Sequence, residues 1–327
     1  MKASLNLHGL VRCGVGMIAV ATASATQAQT HLYFSDIFNP DFETGQISRV
    51  NSDGSGLTQL VNTGGGMRGL DIDLAGGKMY WADVNMGLIR RANLDGSGQE
   101  DLIQLSGSGE DFPFPSALAL DKIGGKIYWG DQVLGTMHRA NLDGSGQQVL
   151  FSTPFHRGLA IDSINGKLYW STSIDFTKGE IWRANLDGTG AEAVVTSLDA
   201  QFKPAKLAVD PLGGKIYWTD YVVDIVRRSN LDGSDMQTLY VPPFNRNPQA
   251  IALDLLGGFV YWGQDLEIDG HTGKIMRMGL DGSNAQDFLT GFGHVNELVV
   301  APVPEPATVV ALGVGALALM RKRRNVG

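Results

Sequence analysis

The segment KIYWTD (Lys215–Asp220) is one of six near copies, and the spacing of those copies constrains the fold more than any other feature. Aligned on the tyrosine they read LYFSD (Tyr33), MYWAD (Tyr80), IYWGD (Tyr128), LYWST (Tyr169), IYWTD (Tyr217) and VYWGQ (Tyr261), at intervals of 47, 48, 41, 48 and 44 residues. A half-buried strand alternates apolar and polar side chains, whereas Ile216, Tyr217 and Trp218 put bulky groups on both faces. Both faces must be covered. Self-similarity at a period of about 45 residues marks a repeat architecture in which each unit stacks on its neighbours.

Each copy but the first follows a short apolar run and a glycine turn, as in LAVDPLGG before Tyr217. Each copy then leads to an arginine-containing run and an Asp-Gly turn, as in IRRANLDGSG and VRRSNLDGSD, and to a last short run such as QQVLF or MQTLY. That makes four antiparallel strands in about 45 residues, the content of one propeller blade. The first copy lacks a preceding inner strand, and ELVVAP (Glu297–Pro302) has no strand after it. Residues 31–302 therefore fit a six-bladed all-β propeller closed by pairing 297–302 with the N-terminal blade, which removes a free sheet edge.

Repeated LYWTD strands with LDGS turns resemble the class B repeats of the low-density lipoprotein receptor, the six-bladed YWTD propeller. The resemblance spans nearly all of the chain between its two ends. It implies a binding face for protein or peptide ligands. The cysteine-rich modules that flank animal members are missing here, so receptor trafficking and lipoprotein uptake are not implied.

The ends are modular. Residues 1–28 read as a secretory signal: Lys2 and Arg12, then the apolar GVGMIAVATASA, then cleavage options at Ala25 or Ala28. The single cysteine, Cys13, lies inside that segment, so the mature chain has no disulfide or cysteine metal site to rely on. Residues 303–327 carry Pro304, Glu305 and Pro306, the apolar run Ala307–Met320 and the basic run Arg321–Arg324. Fourteen apolar residues make a helix of roughly 21 Å, short of the ~30 Å hydrocarbon core. This tail resembles the PEP-CTERM sorting signal, which implies recognition and removal by an exosortase, transient anchoring in the inner membrane through 307–320, and delivery to the cell envelope or the extracellular matrix. The formal net charge is −8, and six of the 26 basic residues lie in the two ends, so the stretch between is more acidic still. Nucleic-acid binding is disfavoured.

A residue present in every blade serves a need common to every blade. On that ground Arg49, Arg91, Arg139, Arg183, Arg228 and Arg277 read as structural, paired with Asp36, Asp83, Asp131 or Asp220 where those stand. The Asn-x-Asp-Gly turns read as hairpins, since a calcium loop of the EF-hand kind needs more acids and a distal glutamate. Ala119, Ala160, Ala208, Ala252 and Val299 share one inner-strand register, broken by Asp71.

Function is expected in the loops that enter the inner strands, where the blades differ. There the chain places Arg68, Phe114, Phe155, His156, Arg157, Phe202, Lys203, Lys206, Phe244, Arg246, Gln249, Phe292, His294 and Asn296. Loops after the motif strands add Phe38, Phe42, Phe176 and Tyr221, with Asp41, Asp175, Asp265 and Glu267. Aromatic and arginine anchors among polar groups make a recognition surface. The reading is an exported binding module for a protein, peptide or exopolysaccharide, not an enzyme, with no cofactor and no metal. Three alternatives stay open: phenylalanines that merely fill gaps between blades, a lactonase-like hydrolase with a channel metal, and a passive matrix protein.

Overall fold

The computed structural model describes residues 29–37, 45–64, 66–107, 109, 112–153, 158–174, 178–197, 202–242, 247–265 and 273–303. Within them the motif strands are second from the centre of six four-stranded antiparallel sheets. The first sheet holds β1 (Thr30–Ile37), β2 (Gly45–Asn51) and β3 (Thr58–Asn62). The second runs outward through β4 (Met67–Asp73), β5 (Lys78–Asp83), β6 (Leu88–Asn93) and β7 (Glu100–Gln104). Four more sheets start from the inner strands β8 (Pro115–Asp121), β12 (Leu159–Asp162), β16 (Pro204–Asp210) and β20 (Pro248–Asp254). The last strand, β24 (His294–Pro302), becomes the inner strand of the first sheet, pairing with β1 from Thr30↔Pro302 to Ile37↔His294. Six inner strands surround one axial channel. The closing strand starts three residues earlier than the sequence suggests, at His294.

The two-faced motif strand is explained by its neighbours. Tyr217 packs with Trp262 of the next blade, and Trp218 packs with Tyr169 of the preceding one. The same contact recurs as Tyr33 with Trp81, Tyr80 with Trp129 and Tyr128 with Trp170, while Tyr261 meets Phe34 across the closure. Each such ring removes roughly 150–250 Å² from water. At about 25 cal/mol per Å², each ring contributes on the order of 4–6 kcal/mol of apolar stabilisation.

The arginines correct the expected pairing. Arg91 lies opposite Tyr80, not Asp83, and its Nη1 donates to the carbonyl of Leu142 in the next blade at 2.9 Å. Tyr80 Oη donates to the same oxygen at 3.3 Å. Arg139 with Tyr128 does the same at Leu186, and Arg228 with Tyr217 at Leu280. The aspartates serve elsewhere: Asp131 accepts the amides of Phe114, Val133 and Leu134, tying together two loops on one face. Asp220 likewise accepts Lys203, Val222 and Val223. Asp83 does approach an arginine, but it is Arg90, at 3.4 Å.

The Asp-Gly turns are hairpins held by their own side chains. Ser97 donates through its amide and its hydroxyl to Asp95, and Asn93 donates to Ser97 Oγ. Their glycines meet a second demand. Gly233 has φ +84° and lies against the outer strand of the preceding blade, where an added Cβ would sit 1.6 Å from the Val194 carbonyl oxygen. Gly214, at the inner turn with φ +66°, would meet nothing within 4 Å.

The closure seam collects titrating groups. Asp36 accepts the Gly293 amide at 2.8 Å, and His294 Nδ1 lies 2.7 Å from Asp265. Burial is the main reason that the Asp36 carboxyl is pushed up to about 6, and the Asp265 charge adds to it against the Gly293 hydrogen bond and His294. The bond to Asp265 raises His294, with burial opposing, the charges of Asp265 and Asp36 assisting, and Arg68 pulling down.

Two measurements test these assignments. Left-handed backbone costs an L-residue roughly 1–2 kcal/mol, so Gly214→Ala loses about that much in urea denaturation. Gly233→Ala loses about twice as much because its Cβ also collides with the preceding sheet; equal losses would refute the close approach. Both seam groups have raised values, so their stabilisation is present at low pH and disappears as pH rises through their folded-state values. At about pH 8 Asp36→Asn therefore melts above the wild type and at about pH 4 it does not; superimposable melting profiles would exclude a strained Asp36.

Candidate functional site

Inner strands begin and motif strands end on one face, here called upper. Five inner strands carry a β-bulge at that end, where two residues oppose one on the motif strand. Bulges of this kind re-aim side chains next to sites. They fall at Gly69, Ser116, Ala205–Lys206, Gln249–Ala250 and Asn296–Glu297. Hydroxyls at the variable position of the Tyr-Trp-x-Asp motif hold the bulged backbone: Ser35 Oγ accepts the Glu297 amide at 3.0 Å and Thr219 Oγ1 accepts the Lys206 amide at 3.2 Å.

The result is a charged group that breaks the sixfold pattern. Lys206 Nζ pairs with the Glu297 carboxylate, although their strands belong to the fifth and first blades. Both side chains are nearly buried, and the Gly69 amide donates to the same carboxylate at 2.9 Å. A buried ion pair needs such an extra hydrogen bond to offset its desolvation. Arg68 joins them: burial lowers its guanidinium, and the charge of Glu297 opposes that shift. Asn296 is buried beside the pair, and its Nδ2 has no partner among the described residues. The sequence does not show that Glu297 meets Lys206 and Arg68, because the three partners lie in three different repeats.

The channel below this group has a volume of about 370 Å³ and is lined by the alanine and valine register. Asp71 lines it too, but its carboxylate is engaged by the amides of Ile72 and Leu120 and by Lys122. Among the described residues no three His, Cys, Asp or Glu side chains are grouped to hold a metal ion.

The other expected site residues do not form one surface. Phe202 is 1% exposed, edge-on to Trp218 with Arg227 over its ring, and Phe292 is 8% exposed against Phe34. These two rings fill gaps above the interblade aromatics and are not presented to a ligand, which corrects the expectation for them. Asn296 is likewise too buried to form an open contact surface. Phe114 and Gln249 are half-buried, and Lys203 is buried. Phe155, His156, Arg157, Phe244 and Arg246, with Phe38, Asp41, Phe42, Asp175, Phe176 and Glu267, lie outside the described residues, as do the leader and Pro304, Glu305 and Pro306.

In fold the chain is similar to one in the crystal structure of a nidogen/laminin complex, with a TM-score of 0.68 and 23% identity, covering 83% of this chain and 98% of that one. It is also similar to a putative TolB from Agrobacterium tumefaciens (TM-score 0.58, 14% identity, 85% and 99% covered) and to TolB from Acinetobacter baumannii (TM-score 0.63, 13% identity, 84% and 67% covered). At these identities the likeness is one of fold. No curated protein matches the sequence. Residues 302–324 match the PEP-CTERM protein-sorting motif, and this marks the chain as an exported protein whose body is a six-bladed propeller.

Proposed function

We propose that this exported protein is a non-catalytic binding module that recognises a protein, peptide or polysaccharide ligand with the upper face of its propeller. The observation that carries the reading is the Arg68–Glu297–Lys206 group, delivered to one mouth of the channel by bulges on three inner strands. Scaffold residues repeat from blade to blade, and this group does not. Exposed Met86 and Val133 in neighbouring upper turns add apolar contact area. An acidic group on the ligand would compete with Glu297 for Lys206 and Arg68, so an acidic peptide or polysaccharide suits the mouth. The nidogen-like propeller found in a complex with laminin supports a protein ligand. The alanine register and the fully engaged Asp71 favour binding over a metal-dependent hydrolase. An exosortase-type enzyme is the expected partner of the tail, which would place the module in the envelope or matrix after a transient stay at the membrane.

Lys206→Met with Glu297→Gln removes both charges of the pair at once, so that neither partner of the ion pair is left charged alone. In a pull-down from the producing cell's surface fraction the double variant captures its ligand about tenfold more weakly, with an unchanged melting temperature. Capture at wild-type strength would remove the upper mouth from consideration, and a stoichiometric metal in the purified protein would favour the hydrolase.

A further inference from the structure

The lower face carries a feature that neither the scaffold nor the upper mouth uses. Five inner strands end there in a four-residue turn, and the residue before the last two turn positions is Ala75, Ile123, Ile164, Leu212 or Leu256. Four of these are large and apolar, on four consecutive blades, and they are exposed by 74%, 58%, 83% and 64% in that order. A core position would be buried and an ordinary turn polar. Exposed apolar groups at one register of four adjacent turns are unlike the singly scattered apolar residues of an ordinary surface. Beyond them, towards the rim, stand the exposed turn aspartates Asp143, Asp187 and Asp232. The face is thus apolar at its centre and charged with both signs at its edge, where Arg91 acts on Asp143, Arg139 on Asp187 and Arg183 on Asp232.

The chain itself indicates what meets it. In the first blade the place of this turn is taken by the two chain ends, where the Val303 amide donates to the Gln29 carbonyl at 2.9 Å. The sorting motif starts at residue 302, and the apolar run Ala307–Met320 begins four residues beyond Val303. Four residues span at most about 14 Å. While that run is in a bilayer the lower end of the first blade is held within about 8 Å of the membrane surface, since the headgroup region takes up roughly 6 Å of the reach.

We propose that the arc of Ile123, Ile164, Leu212 and Leu256 is a lipid-contact surface, which seats the lower face on a membrane of zwitterionic headgroups and turns the upper mouth outward while the tail is anchored. The rim carries both signs and the chain as a whole has a formal charge of −8, which disfavours an anionic surface and gives the contact its headgroup preference. The contact is weak without the tail, so it loosens once the tail is removed. It does not depend on the ligand reading, which concerns the opposite face.

The test uses the mature chain with its tail, in which an introduced cysteine is unique because Cys13 leaves with the leader. Leu212→Cys on the lower face and Val133→Cys on the upper are labelled with a fluorophore and reconstituted in phosphatidylcholine/phosphatidylethanolamine vesicles bearing nitroxide headgroups. The label at 212 is quenched severalfold more than the label at 133. With Ile123, Ile164 and Leu256 changed to serine, quenching at 212 falls by at least half. Equal quenching at the two sites overturns the proposal, and so does quenching at 212 that survives the serine changes, which would make the tether alone responsible. Shielding at 212 that grows with protein density in the vesicles would assign the arc to a second copy instead.

Discussion

The structure depends on an oxygen shared across three of the interfaces, the carbonyls of Leu142, Leu186 and Leu280, with Arg183 reaching Leu231 in the same way. A tyrosine and an arginine on adjacent strands of one blade converge on the leucine carbonyl of the next blade's Asn-Leu-Asp-Gly turn, as Tyr128 and Arg139 do on Leu186. That carbonyl projects back because the leucine amide is bonded to the inner glycine turn of its own blade, Leu186 to Gly166 at 3.2 Å. Charge-assisted hydrogen bonds to a partly buried acceptor are stronger than neutral ones. The tyrosine ring beneath them is also half of the aromatic contact between blades. Position and packing are therefore set together, and the Asp-Gly glycine must lie close to the preceding sheet for the carbonyl to arrive.

At the closure the leucine is replaced, and the lock weakens. In the first blade the turn reads Asn-Ser-Asp-Gly, and Arg277 reaches the Ser52 carbonyl at 3.3 Å while Tyr261 Oη has no partner among the described residues. The arginine is held instead between the Phe259 and Phe288 rings, with centroids 5.1 and 5.2 Å away. A cavity of about 440 Å³ opens beside it, next to Gln29. The seam formed by the two chain ends thus has a weaker polar lock and a compensating aromatic one. Thr30 Oγ1 adds a bond to Asp254 at 2.7 Å across the same seam.

Much of this was legible in the sequence for a definite reason. Period and copy number derive from side chains that recur, so six blades, the closing strand and the alanine register could be counted. The partners of the repeated arginines could not, because their acceptor is a backbone carbonyl in the next repeat and leaves no trace in residue type. Pairing them with the nearby aspartates respected charge but not register: Asp83 lies opposite Leu88, while Arg91 lies opposite Tyr80. Phe202 and Phe292 failed as surface residues for a related reason. A loop phenylalanine beside a buried aromatic ring gains more by covering it than by facing water, and sequence position alone does not show which ring is near. The bulges were equally hidden, since only two of the five face a hydroxyl, at Ser35 and Thr219, while Ala82, Gly130 and Gly263 hold that position opposite the others.

A ring of equivalent sheets gives both of its faces the same symmetry, so specificity has to come from departures that the lock does not forbid. On the upper face the departures are bulges, which add a residue without disturbing the Tyr-Arg-Leu contact at the opposite end of the strand. On the lower face the lock itself occupies the turn backbones, leaving variation to the side chains at turn tips, and there the chain repeats isoleucine and leucine instead of varying. Opposite ends of the same strands are thus under opposite constraints: one end is free to become unique, and the other is held uniform. A face that must discriminate is best built at the first, and a face that must only lie against a broad surface at the second.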